Sequence, residues 1–185
     1  MKEFLLNQSL AVRTFILPDV KHSIEGICPT YDSTQHYKTN IVEWLKPVVD
    51  LSGFSVYPMN GITEGLNWWY NRETLGVQMT PGDYQWIENN NRSPHIFYQS
   101  VPSAMDGNFV DVRTDVPVAL DLAYVGSTKV KTIEISSNVE HAFYSLSKSF
   151  GVGNIRTGWY FSRRPDPKLE SVSYTHLRAH ETPEH

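Results

Sequence analysis

The sequence predicts an α/β fold, with a mostly parallel sheet flanked by helices. Short apolar segments alternate with helical segments or longer loops along the chain, which is the pattern of such sheets. One segment, 116–122, is almost continuously apolar, as in a strand buried on both faces. Glycine, aspartate and lysine positions follow directly after apolar segments, where open α/β sheets bind their ligands.

The helices are predicted from capping residues and apolar spacing. Residues 1–36 carry no clear pattern, and a first helix is expected over 41–46, capped by Thr39 or Asn40. Pro47 opposes its continuation. After an Asn60-Gly61 turn, a second helix is predicted over roughly 63–73, with three buried side chains: Leu66, Trp69 and Tyr70.

Six strands are predicted from short apolar segments, most of them ended by a turn residue or proline. They are 54–57, 76–79, 95–100, 116–122, 142–145 and 157–162. Segment 131–135 also alternates, but its position before a loop leaves its strand type open.

Composition restricts the class of protein. The 185 residues are 40% hydrophobic and 12% aromatic, enough to fill the core of one domain. A net charge of −4 argues against the basic face that nucleic-acid binding needs. Cys28 is the single cysteine, so an internal disulfide is excluded. The sequence has no apolar run long enough for a bilayer and no signal-peptide core, and a soluble, cytoplasmic protein is expected.

The most informative segment is 145–158, Ser-Leu-Ser-Lys-Ser-Phe-Gly-Val-Gly-Asn-Ile-Arg-Thr-Gly. Lys148 lies among small residues that let a ligand approach closely, and Arg156 follows eight residues later. An arginine can hold a phosphate with a planar fork of donors. The pair predicts a reactive amine beside a phosphate-bearing cofactor; the alternative is a surface loop with two solvated cations.

Two other segments complete a recognisable order. Asp121-Leu-Ala-Tyr124 ends the apolar run 27 residues before Lys148, and Asn60-Gly-Ile-Thr-Glu-Gly65 follows the first strand. In this order the three segments resemble the aspartate-aminotransferase superfamily, the fold type I (class I/II) enzymes that use pyridoxal 5'-phosphate. The resemblance covers about residues 37–163, and the lysine motif departs from the family signature only at Thr157, where an apolar residue is usual.

The resemblance implies three catalytic residues. Lys148 would form a Schiff base with the cofactor and then move protons as base and acid. Asp121 would pair with the pyridine nitrogen, and Tyr124 would donate to the ring 3-oxygen. The alternatives are a solvated lysine, an aspartate that caps the turn after its strand, and a core tyrosine.

The resemblance also implies a set of cofactor-binding residues. The phosphate would be held by Ser145 and Arg156 on one side and by the helix N-terminus after Gly61 on the other. An ordinary Asn-Gly turn is the alternative for Gly61. Tyr84 would stack its aromatic ring on the cofactor; packing in the core is its alternative role. With the catalytic three, the set comprises Gly61, Ile62, Thr63, Tyr84, Ser145 and Arg156.

One departure from the family lies in 101–107. The family often has Asn-Pro-x-Asn-Pro-x-Gly here; Pro102 and Gly107 match, but the asparagine that contacts the ring oxygen falls on Ala104. Asn108 is a candidate substitute. The short link from Gly107 to Asp121 also predicts that a helix common in the family is missing.

Other sites are weaker. A P-loop needs glycines before its lysine, and here they follow Lys148. A Ser-x-x-Lys hydrolase motif is present at 145–148 without its companion motifs. His176 and His180 are four residues apart, but Pro183 and the lack of an acidic partner argue against metal binding, and no metal is expected.

The expected organisation is a segment 1–36, a partial cofactor-binding domain 37–170 and a tail 171–185 that resembles a translated sequencing adapter, with the natural frame cut near Glu170. The expected function is that of an aminotransferase acting on an amino acid or related amine and a 2-oxo acid, as a homodimer. The alternatives are another fold type I reaction such as decarboxylation or lysis, a cofactor-binding regulatory or interaction domain without turnover, and an inert fragment that aggregates through uncovered apolar surface.

Overall fold

The computed structural model describes residues 31–72, 76–80, 94–127, 131–151 and 156–171. Its helices are α1 (Tyr31–Leu45), α2 (Ile62–Arg72) and α3 (Leu146–Ser149), and a further helical turn covers 167–171. Its strands are β1 (Ser55–Met59), β2 (Gly76–Met79), β3 (Pro94–Ser100), β4 (Val118–Asp121), β5 (Val139–Ser145) and β6 (Gly158–Ser162).

The six strands form one sheet in the order β1-β6-β5-β4-β3-β2. Strands β2 to β5 pair in parallel, whereas β6 runs antiparallel to both β5 and β1. Five strands therefore point the same way and end at one edge of the sheet. The predicted α/β fold with a mostly parallel sheet is confirmed.

Helices α1 and α2 cover opposite faces of this sheet. Ile41 and Leu45 of α1 pack in one core cluster with Leu120, whereas Leu66 and Trp69 of α2 belong to the other. The alternation of β4 explains the division, because successive side chains on a strand point to opposite faces. All four residues of β4 are buried, as its continuous apolar sequence predicts.

Three local predictions differ from the structure. The first helix begins at Tyr31 rather than after Thr39 or Asn40, so the capping signal was misassigned. Segment 131–135 is not a strand; its chain is held by a 2.6 Å hydrogen bond from the Ile133 N–H to the Val48 carbonyl. Tyr70 is only half-buried, because the packed stripe of α2 is narrower than predicted.

The link between β3 and β4 contains no helix over the described residues 101–117, as its length predicts. Side-chain amides hold this link instead. Gln99 donates to the Asp111 carbonyl at 2.8 Å and accepts from the Arg113 N–H at 3.0 Å. Asn138 donates to the carbonyls of Arg113 and Val116 at 2.7 and 2.5 Å.

Asp166 fastens the segment after β6 to α2. Its carboxylate accepts from Trp68 Nε1 at 2.9 Å, from Arg72 at 2.7 and 2.9 Å, and from the N–H groups of Lys168 and Leu169 at 3.0 and 3.3 Å. Burial opposes its ionisation, but these hydrogen bonds and the Arg72 charge hold the pKa of Asp166 below its ordinary 3.8.

We therefore expect Asp166→Asn to lower the free energy of unfolding by about 1–2 kcal/mol at pH 7. Because the pKa of the folded state is depressed, the carboxylate's contribution is present above about pH 4 and is lost as the pH falls below it. Urea unfolding at pH 7 and pH 3 checks this, with exposed Asp111→Asn as the control. An equal difference at both pH values would contradict it.

Candidate functional site

The carboxyl ends of β1 and β5 meet the start of β6 at one edge of the sheet. The register places Met59 of β1 and Ser145 of β5 on either side of Gly158, the first residue of β6. The approach is close: a Cβ on Gly158 would lie 2.8 Å from the Gly61 Cα and 2.9 Å from the Tyr144 carbonyl oxygen. The turn after β1 therefore packs directly on the start of β6.

Gly61 and Arg156 are in contact across this junction. Gly61 has φ +86°, a conformation that favours glycine, and a Cβ there would lie 2.6 Å from Nη2 of Arg156. The same nitrogen donates to the Asn60 carbonyl at 3.2 Å. The guanidinium thus lies beside the N-terminus of α2, where backbone N–H groups and the helix dipole favour an anion.

The first turn of α2 carries Ile62 and Thr63, both half-buried. The next residue, Glu64, accepts from the Asn60 N–H at 2.5 Å and from its side-chain amide at 3.3 Å. A carboxylate therefore already caps this helix end. An anion bound here would share the helix end with Glu64 and would rely on Arg156 for its balancing charge.

Ser145 is buried at the carboxyl end of β5, where it caps α3. Its Oγ accepts from the Ser147 N–H at 3.0 Å and contacts the Ser147 hydroxyl at 2.9 Å. The side chain predicted to bind phosphate therefore also holds the turn that carries the lysine.

Lys148 lies exposed on α3, a helical turn rather than the expected open loop. Its Nζ is 5.9 Å from the centroid of the Tyr124 ring, within the range of a cation–π contact. Ser149 holds α3 in place by donating to the Val125 carbonyl in the turn after β4. The structure thus brings Lys148 and Tyr124 together.

Asp121, the last residue of β4, is 3% exposed. Its Oδ1 accepts from the Ala123 N–H at 2.8 Å, which is the turn-capping contact considered as its alternative role. Its Oδ2 accepts from the Tyr98 hydroxyl and lies 3.5 Å from the Ser100 hydroxyl. Hydrogen bonds donated to a carboxylate stabilise its ionised form, whereas burial opposes ionisation.

Sequence reasoning missed three contributors: Tyr98, Ser100 and Gly158. The sequence carries only part of the signal: residues two apart on a strand share a face, but the pairing of β3 with β4 and its register come from the structure. Of the predicted residues, Tyr84 lies outside the described part of the chain.

Asn108, the candidate substitute for the family's asparagine, has its side-chain amide hydrogen-bonded to another residue. Asn108 is exposed and its amide donates to the Asp106 carboxylate at 2.8 Å. Ala104, at the family's asparagine position, has no polar side-chain atom.

The described residues contain neither a metal-binding cluster nor a membrane-spanning helix. Within them, no group of three or more His, Cys, Asp or Glu side chains is arranged to hold a metal ion. His176 and His180 lie outside these residues. Over the same part of the chain, each helix is too short or too polar to span a bilayer.

Comparison by sequence finds no relatives: no family model matches, and no curated protein matches. Comparison by structure does. A PLP-bound aminotransferase of Clostridium difficile 630, itself of unproven activity, matches with a TM-score of 0.57 over 91% of this chain and 58% of its own, at 15% identity. Aminotransferase AspB of Helicobacter pylori 26695 matches with a TM-score of 0.56 over 91% and 61%, at 11% identity.

A PLP-bound C-S lyase of Staphylococcus hominis also matches, with a TM-score of 0.52 over 76% of this chain and 50% of its own, at 13% identity. The chain thus spans between half and about three-fifths of the length of these structures. It has the fold of the large domain of fold type I enzymes, and the resemblance read from the sequence is confirmed at the level of the fold.

Proposed function

We propose that this chain is the large-domain part of an aminotransferase that binds pyridoxal phosphate at Lys148. The contact of Arg156 with the Gly61 turn carries the proposal. It forms an anion-binding corner at the same sheet edge as Lys148 and the buried Asp121. A phosphate, an aldehyde and a ring nitrogen each meet a matching group there.

The chain's residues fit this cofactor. Arg156 and the N–H groups that follow Gly61 would hold the phosphate. Asp121, a carboxyl group that accepts a hydrogen bond at each oxygen, would pair with a protonated ring nitrogen. Tyr124, whose ring centroid lies 5.9 Å from Lys148 Nζ, would donate to the 3-oxygen of the cofactor ring.

When bound, pyridoxal phosphate supplies an aldehyde that condenses with amines and a ring that withdraws electrons from the adjacent carbon. The protein residues supply position and proton transfer. Lys148 is exposed on α3 and makes no salt bridge within the described part of the chain, so its amine can reach a bound substrate and carry its α-proton. Ser145 keeps that lysine at the end of β5 by capping its helix.

The proposed substrates are an amino acid or related amine and a 2-oxo acid, and the proposed assembly is a homodimer. An aminotransferase is favoured because aminotransferases recur among the structural matches. Another fold type I reaction is a second candidate, since a C-S lyase shares the fold.

Cofactor binding without turnover is the third candidate. It is favoured by Ala104, which leaves the ring oxygen to Tyr124, because the amide of Asn108 is bound to Asp106. Incubating the cofactor-loaded chain with amino acids separates these candidates. Conversion to the pyridoxamine form indicates transamination, release of ammonia or sulfide indicates a lyase, and an unchanged spectrum indicates binding alone.

A binding comparison tests the phosphate corner. We expect Arg156→Ala to weaken pyridoxal phosphate about 10- to 100-fold, because a charge-assisted hydrogen bond to phosphate contributes about 1.5–3 kcal/mol. The same change should barely affect pyridoxal, which lacks the phosphate. Fluorescence titration with both ligands measures this.

The matched control is Arg164→Ala, since Arg164 is an exposed arginine whose described ion pair is a 4.0 Å contact with Glu140. Equal losses for pyridoxal and its phosphate in Arg156→Ala would contradict the proposed corner. No binding of either ligand by the wild-type chain would contradict the proposed function.

A further inference from the structure

We propose that Tyr98 is a positioning residue for Asp121, whose carboxylate its phenol orients and keeps ionised towards the ring nitrogen of the cofactor. This inference rests on the proposed function. Tyr98 belongs to none of the motifs that identify the site, and it is reached only through the contacts of β3 with β4.

The sheet register places Tyr98 beneath Asp121. Ser100 pairs with Asp121, and Tyr98 lies two residues earlier on β3, so the three side chains share the α2 face. Tyr98 is fully buried, and its hydroxyl donates to Oδ2 of Asp121. Neither side chain can leave this contact without repacking the sheet face.

The two oxygens of the carboxylate are held from different directions. Oδ2 receives the Tyr98 hydroxyl from β3, whereas Oδ1 receives the Ala123 N–H at 2.8 Å from the turn after β4. The terminal torsion of an aspartate is otherwise broad and roughly two-fold. Donors on both oxygens therefore restrict the carboxylate plane, which determines where its remaining lone pairs point.

The same contacts determine its charge. Burial favours the protonated form of a carboxylic acid, and a neutral Asp121 could not stabilise a protonated ring nitrogen. Hydrogen bonds donated to the carboxylate oppose that preference. Among the described residues, the titratable groups on neighbouring elements include Tyr124 in the turn after β4, Lys148 on α3 and His141 on β5; burial lowers the pKa of His141 to about 4, so it is neutral at pH 7.

The alternative is that Asp121 merely satisfies the hydroxyl of a tyrosine that packs in the core. Phenylalanine at 98 separates the two roles, because it fills nearly the same volume and removes only the hydroxyl. Loss of the hydrogen bond raises the Asp121 pKa in either case, whereas only a positioning role also lowers the affinity for pyridoxal phosphate through Asp121.

The first measurement is a ¹³C-carboxyl NMR titration of Asp121 in the cofactor-free chain, for the wild type and Tyr98→Phe. We expect the midpoint to rise by about one pH unit or more in Tyr98→Phe, a tenfold change in proton affinity. Ser100→Ala is the matched control: its hydroxyl lies farther away, at 3.5 Å, so a smaller rise is expected.

A second variant has the opposite expected sign. With 3-fluorotyrosine at 98 the phenol is a stronger donor in an unchanged packing, so the Asp121 midpoint should fall below that of the wild type. This variant also keeps the test available if Tyr98→Phe folds poorly. An Asp121 midpoint that is the same in the wild type and both variants would overturn the inference.

The second measurement is pyridoxal phosphate affinity in a double-mutant cycle. Tyr98→Phe should weaken binding about tenfold in the wild-type chain and have no further effect in Asp121→Asn. Equal effects in both backgrounds would overturn the inference. Failure of the wild type to bind the cofactor would overturn the proposed function instead, while the cofactor-free titration still decides whether Tyr98 controls Asp121.

Discussion

Lys148→Ala is expected to abolish covalent retention of pyridoxal phosphate and to lower any transamination rate at least about 10³-fold. A positioned proton-transfer group alone contributes typically about 10²–10⁴-fold, and this lysine would also be the cofactor's covalent anchor. The side chain is exposed, so the substitution removes little packing and the melting temperature should change little.

The measurement is borohydride reduction followed by peptide mapping, beside the visible absorbance of the chain with cofactor. Lys131→Ala is a matched control, because Lys131 is also exposed and its Nζ lies 5.7 Å from an aromatic ring, that of Phe109. We expect the reduced cofactor on the peptide that contains residue 148 in the wild type and in Lys131→Ala. In Lys148→Ala we expect this peptide to carry no cofactor. Label that persists in Lys148→Ala would show that another amine is the anchor.

The strands could be predicted because the residues buried in this sheet form short apolar segments in the sequence. The run 116–122 is apolar on both faces and contains β4, and the last residue of that strand is Asp121. Each predicted strand overlaps an observed one within a few residues. The candidate ligand-binding residues come directly after these strands, and these positions predict that they lie at one edge of the sheet.

The start of α1 could not be predicted in the same way. Thr39 and Asn40 have the chemistry of helix caps, but they lie inside a helix that begins at Tyr31. Capping residues also occur on the exposed side of helices, where both of these residues lie. Local preference therefore gave a false boundary that tertiary structure overrides.

The residues of the candidate site also divide into those that the sequence suggests and those that only the structure reveals. Gly61, Asp121, Lys148 and Arg156 could be proposed from the sequence because each belongs to a short motif whose spacing is visible in the chain. Tyr98 acts on Asp121 from a neighbouring strand, 23 residues away, and only the register of β3 against β4 reveals the contact. Contacts that depend on register leave no spacing rule in one sequence.

Gly158→Ala is expected to destabilise the chain by about 1–3 kcal/mol, the usual cost of forcing an extra methyl group into a packed site. The added Cβ would lie 2.8 Å and 2.9 Å from the Gly61 Cα and carbonyl carbon, and 2.9 Å from the Tyr144 carbonyl oxygen. These are backbone atoms of a strand and a tight turn, so no side chain can rotate away to make room.

The change should also weaken cofactor binding, because relief of the clash must separate β6 from the Gly61 turn. Arg156 lies two residues before Gly158 and touches Gly61, so this separation opens the phosphate corner. We expect pyridoxal phosphate affinity to fall by at least about tenfold, since placement of a charge-assisted hydrogen bond depends steeply on geometry. Urea unfolding and fluorescence titration measure the two effects.

Two glycine-to-alanine controls separate the causes. Gly53→Ala places a methyl group at a glycine of positive φ, unlike Gly158, and its Cβ would meet nothing within 4 Å, so it reports backbone strain far from the corner. Gly65→Ala, within α2, adds a methyl group 3.3 Å from Cδ1 of Phe143, so its tight contact is with a side chain rather than with backbone. If Gly158→Ala lowered stability without weakening the cofactor more than these controls do, the junction of β6 with the Gly61 turn would serve the fold alone. A selective loss of affinity would instead tie the close approach of two glycine backbones to the binding of phosphate.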